Sequence, residues 1–135
     1  MKLFLLLFLS TGIFKLPALR EGTHAITYQV IGWDQPGKVT IKKITDGTFK
    51  VSGGQKSKNN KDYLKIDGKL QVVNDRELIF NGEILTRASD INGGMECKRS
   101  GAYHFKATGK RKYYRLQEMI NCEGGMTTDY IDIYF

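Results

Sequence analysis

A chain of 135 residues has room for a leader and one small domain, which excludes a two-domain protein. Its formal charge of +7 makes it basic. Such a charge attracts anionic partners such as cell-surface polysaccharide, phospholipid head groups or an acidic protein. Its two cysteines and two histidines show neither a Cys-x-x-Cys nor His-Cys ligand spacing. No metal and no cofactor is therefore expected.

The chain opens on Met1-Lys2 followed by an apolar run from Leu3 to Phe14. One cation before a short apolar stretch is the layout of a secretory signal peptide. The run is too short to span a bilayer core, which takes about 20 helical residues, and Lys15 and Pro17 interrupt its extension. A leader over residues 1–18 is expected, cut after Ala18 or as late as Ala25, leaving a single β domain over 26–135. Dropping Lys2 and Lys15 from +7 leaves +5 for the mature chain. A secreted or periplasmic location follows, with no stable membrane span after processing and no nucleic-acid partner.

Downstream, turn signals recur at Pro36-Gly37, Asp46-Gly47, Gly53-Gly54, Asp67-Gly68, Asn81-Gly82, Asn92-Gly93-Gly94, Thr108-Gly109 and Gly124-Gly125. Asp-Gly and Asn-Gly suit hairpin turns, whose central residues need positive φ. Between them the chain alternates. Ile26, Tyr28 and Val30 share one face; so do Val39 and Ile41, Phe49 and Val51, Leu64 and Ile66, Tyr103, Phe105 and Ala107, and Ile131, Ile133 and Phe135. Period two with one apolar face predicts antiparallel sheet with one side buried. The short spacing predicts an all-β meander of about 8–10 strands, closed or nearly closed into a barrel, with a β-sandwich as the alternative. Gly53 to Asp62 contains no apolar residue and reads as a solvated loop. The architecture resembles small secreted barrels of the lipocalin-like kind, a likeness of fold alone that carries no residue motif and licenses no function.

Cys97 and Cys122 are expected to form a disulfide, since an even cysteine count accompanies an export signal. Gly-x-Ser-x-Gly, His-Glu-x-x-His and phosphate-binding glycine loops are all missing from the sequence. No catalytic residue is assigned. His104 falls on the polar side of its strand, and Asp90 to Gly94 lacks the acidic positions of a calcium loop. The segment with most binding character is a hairpin tip carrying Lys110, Arg111 and Lys112, with Tyr113 and Tyr114 behind it. Cations beside aromatics suit an anion. Alternation places Tyr113, Arg115, Tyr130 and Tyr134 on an outward face, and Tyr and Arg favour protein contacts.

The sequence therefore points to a non-enzymatic secreted binding or interaction protein. Its partner would be a small apolar molecule in the barrel, or a protein or polyanionic surface outside it. A small hydrolase using carboxylates such as Asp129 and Asp132, or Glu118 and Glu123, brought together by the fold is one alternative. A structural envelope-associated domain is the other.

Overall fold

The computed structural model describes residues 19–135, and of these the side chains at 125–127 lie outside the description. The leader expected over residues 1–18 falls outside the described residues. Ten strands follow in chain order: β1 (Gly22–Tyr28), β2 (Gly37–Thr45), β3 (Thr48–Lys56), β4 (Tyr63–Asn74), β5 (Glu77–Arg87), β6 (Cys97–Lys106), β7 (Tyr113–Leu116), β8 (Ile120–Asn121), β9 (Gly124–Thr128) and β10 (Ile131–Tyr134). Eight of them close an antiparallel barrel in the order β1-β10-β7-β6-β5-β4-β3-β2, and β8 and β9 form a separate two-stranded sheet. Closure removes the exposed edges that a meander of this length would otherwise carry. The first strand begins at Gly22, so residues 22–25 already pair with β2.

Alternation builds the interior. Ile26, Val39, Ile41, Val51, Leu64, Ile66, Leu70, Leu78, Phe80, Ile84, Phe105, Leu116, Ile131 and Ile133 are buried in one apolar cluster. Eight strands enclose a space that side chains fill, and Tyr28, Phe80 and Phe105 are its largest fully buried occupants. Phe105 meets Phe80 edge-on at 6.2 Å between ring centroids.

The barrel has two unlike ends. The "hairpin end" carries the tight β2–β3 and β4–β5 turns, the β6–β7 loop, Leu19 and Phe135. The "loop end" carries the four longer connections over 29–36, 57–62, 88–96 and 117–130. At the loop end Cys97, first residue of β6, is bonded to Cys122, with 5.7 Å between Cα atoms. That bond ties the connection holding β8 and β9 to the barrel wall.

Several turn signals mark something else. Gly53-Gly54, Asp67-Gly68 and Asn81-Gly82 lie inside β3, β4 and β5. Gly68 pairs with Gly82, and Gly82 with Gly101, in a row across the sheet. A Cβ on Gly68 would lie 2.3 Å from the Asn81 carbonyl oxygen and 2.7 Å from the Phe80 ring. At Gly68 and Gly82 the missing side chain lets the paired strand and the Phe80 ring approach closely. The expected solvated loop shrinks to 57–62, because β3 continues to Lys56 and Gln55 is buried. Gln55 accepts from the Tyr28 N–H at 2.6 Å and donates to the carbonyls of Gly32 and Gln35. It thereby satisfies backbone groups that the barrel end would otherwise bury unpaired. Asn92–Gly94 forms a short 3-10 turn instead of a hairpin turn, and Gly124 starts β9.

Two alternation assignments also change. Val30 and Phe135 are exposed, since β1 ends at Tyr28 and β10 at Tyr134. Thr27 and Asp132 sit on the outward face yet are buried. Among the described residues, no helix is long and apolar enough to cross a membrane.

Candidate binding surface

The three cations of the tip lie in the β6–β7 loop and are exposed. Beside them the β4–β5 turn brings Asp75 and Arg76. That turn has no glycine. It is held by the Asn74 side chain, whose oxygen accepts from the Arg76 N–H at 2.8 Å, and by Ala107, whose N–H donates to the Arg76 carbonyl at 2.8 Å. Lys110, Arg111, Lys112 and Arg76 thus rim one cleft of about 240 Å³ whose floor is Tyr114 and Phe135. The two rings are 4.8 Å apart, and the Tyr114 hydroxyl donates to the Asp75 carbonyl at 3.0 Å. Burial raises the Tyr114 phenol above its ordinary pKa. Four cationic side chains and one acidic side chain, Asp75, line this cleft.

The outward tyrosine face is continuous with the tip. The Arg111 guanidinium lies over the Tyr113 ring at 5.6 Å, and Tyr113 meets Tyr134 at 5.4 Å. Arg115 is stacked between Tyr113 at 5.1 Å and Tyr130 at 4.5 Å. Its guanidinium also donates to both oxygens of Asp132, at 2.8 and 2.9 Å. That fork explains why Asp132 is buried on an outward position: it lies beneath Arg115. The charge of Arg115 is therefore largely spent within the protein. Lys110, Arg111, Lys112 and Arg76 form no ion pair among the described contacts.

A second polar cluster closes the loop end. Asp129, wholly buried, accepts from the Tyr28 hydroxyl at 2.9 Å, from Asn121 at 3.2 Å and from Arg99 at 3.0 Å. Arg99 also donates to the carbonyls of Glu118 and Ile120. Burial first, and the Asp129 charge next, push the Tyr28 phenol far above its usual range. Sequence reading missed this cluster because its members lie 101 and 30 residues apart in the chain.

The carboxylates considered as catalytic pairs are engaged separately. Asp129 meets Arg99 and Asp132 meets Arg115. Glu123 accepts from the Asn92 N–H. Glu118 accepts from the backbone N–H of His104 at 2.8 Å and lies 2.5 Å from its ring nitrogen. Burial raises the Glu118 carboxyl pKa, but the bonds to His104 outweigh it and the net shift is downward. Among the described residues, no group of three or more His, Cys, Asp or Glu could hold a metal ion.

Comparison with known proteins sets this surface in a family. The PM1083 family model matches residues 16–135, which takes in the entire barrel. The chain belongs to the PM1083 family. It is 37% identical over 115 residues to protein PM1083 of Pasteurella multocida (strain Pm70), an alignment that covers 84% of this chain and 72% of that protein. The family match spans both barrel ends, the Cys97–Cys122 pair and the basic cleft.

Proposed function

We propose that this member of the PM1083 family is a non-enzymatic, extracytoplasmic binding protein that meets an anionic partner with the outside of its barrel. The principal contacts are Lys110, Arg111 and Lys112. Tyr113, Arg115, Tyr130 and Tyr134 supply the flanking face. The observation that carries this reading is the interior. Tyr28, Phe80, Phe105 and the aliphatic cluster occupy the space a small apolar ligand would need. The partner then has to be met outside, and the densest free cations are at the hairpin end. The disulfide supports a location outside the reducing cytoplasm.

The test is retention on an anionic polymer. Replacing Lys110, Arg111 and Lys112 together with Gln should lower the salt needed for elution more than replacing Lys56, Lys58 and Lys61. Both variants lose the same charge, so only a localised site separates them. Equal losses would reduce the binding to overall basicity, and the reading would fall.

A further inference from the structure

The connections at the two barrel ends differ in charge. Those at the loop end carry Lys58 and Lys61 against seven carboxylates: Asp34, Asp62, Asp90, Glu96, Glu118, Glu123 and Asp129. Two of these, Asp62 and Asp129, are paired with Arg87 and Arg99, and the balance stays negative. The hairpin end carries Arg20, Arg76, Lys110, Arg111 and Lys112 against Glu21, Asp46 and Asp75. A negatively charged surface would therefore repel one end of the barrel and attract the other.

The attracted end also presents apolar side chains to solvent. Ile44 is 49% exposed, Val73 50% and Phe135 49%. Ile44 and Val73 lie in the outward phase of their strands, out of step with buried Val39 and Ile41 in β2 and with buried Leu64, Ile66 and Leu70 in β4. Each presents an aliphatic group beside a hairpin turn, next to a register shift between Lys43 and Thr45 or between Val72 and Asn74. The two hairpins are neighbours, joined by the bond from the Val72 N–H to the Gly47 carbonyl at 2.8 Å. The cleft between Arg76 and the tip has an aromatic floor, with Phe135 on it. The chain also enters the barrel here, at buried Leu19.

Cations alone suit any polyanion. Cations interspersed with exposed aliphatic and aromatic tips at one end suit a surface that is anionic outside and apolar just beneath. We propose that the hairpin end docks on an anionic phospholipid surface. A headgroup phosphate would sit among Arg76, Lys110, Arg111 and Lys112, and Ile44 and Val73 would touch the acyl boundary. This rests on the surface-binding reading above and names its partner.

Cosedimentation with vesicles tests it. All variants share whatever precedes Leu19, so differences between them report the barrel. Wild type should partition far more strongly to phosphatidylcholine vesicles containing phosphatidylglycerol than to phosphatidylcholine alone, and less so as salt rises. Substituting Lys110, Arg111 and Lys112 with Gln should cut that partition by roughly a hundredfold, at about fivefold per cation. Ile44→Ser with Val73→Ser leaves the charge unchanged. It should still cut vesicle partition several-fold and leave polymer retention as in wild type. Unaltered vesicle binding in that double variant would overturn the lipid assignment, as would complete displacement by millimolar inorganic phosphate. Polymer retention without any vesicle binding would overturn this inference and leave the surface-binding reading intact. Loss of neither in the triple variant would overturn both.

Discussion

Replacing Asp129 with Ala should be among the most damaging single changes outside the apolar core. The carboxylate is wholly buried and the Arg99 side chain is 10% exposed. Breaking a buried pair from one side typically costs about 3–5 kcal/mol, because the surviving charge stays buried without compensation. Arg99 would keep its bonds to the Glu118 and Ile120 carbonyls, at 3.2 and 3.3 Å, which favours the lower part of that range. The Tyr28 hydroxyl would also lose its carboxylate acceptor. Such a loss costs roughly 1 kcal/mol when a buried donor is left unsatisfied, and it overlaps with the first. A loss of about 3–4 kcal/mol is expected, or about 12–16 °C in Tm at roughly 4 °C per kcal/mol for a domain of this size. Urea unfolding followed by far-ultraviolet circular dichroism measures it, with an unchanged denaturant slope showing that the two end states are the same. Pairing Asp129→Leu with Arg99→Met removes both charges and should recover much of the loss. Asp46→Ala breaks only an exposed pair with Lys43 and should unfold with wild type. A loss below about 1 kcal/mol for Asp129→Ala, or a double variant no better than the single, would refute the view that this pair closes the loop end.

Three further outcomes are expected. Reducing the Cys97–Cys122 bond, which closes a separation of 25 residues, should lower stability by roughly 3–4 kcal/mol on the chain-entropy estimate, read as a shift in the urea midpoint on adding reductant. Gly68→Ala should destabilise by about 1–3 kcal/mol, although strand preference alone favours Ala over Gly, because the new methyl would overlap the Asn81 carbonyl and the Phe80 ring; a stabilised variant would show that the wall can relax there. Tyr28 and Tyr114 have folded pKa values raised by burial, so their contribution is complete below the unfolded phenol value of about 10 and is lost as pH rises through the folded values. An ultraviolet phenolate titration should show these two ionising only as the circular dichroism signal collapses, and early ionisation of all the tyrosines would contradict their burial.

Much of the barrel was legible from alternation. Val39 and Ile41, Phe49 and Val51, and Leu64 and Ile66 all face the core as period two requires. Glycine was harder to interpret. Asp67-Gly68 and Asn81-Gly82 have the composition of hairpin turns, yet they lie within strands, where the paired backbone and the Phe80 ring come close. Only the pairing of Gly68 with Gly82 across two strands reveals this, and pairing is not written locally. The β4–β5 turn was missed for the opposite reason: it has no glycine and relies on the Asn74 side chain. The basic tip and the Tyr-Arg face were visible as neighbours in sequence. Arg76 and Phe135, which complete the cleft, reach it only through strand order. The exposure of Ile44 and Val73 follows from period two, which sets them opposite Val39 and Ile41 and opposite Leu64 and Ile66; what alternation leaves unsaid is that the two hairpins carrying them are neighbours.

An anionic ligand should meet the outside of the hairpin end and leave the filled interior untouched. Backbone amide chemical-shift mapping during titration with an anionic polymer distinguishes the two. Shifts are expected at Arg76, Lys110, Arg111, Lys112, Tyr114 and Phe135, with Ile41, Ile66 and Phe80 unmoved. Shifts concentrated on the core strands, or around Trp33 and Met95 at the opposite end, would contradict it.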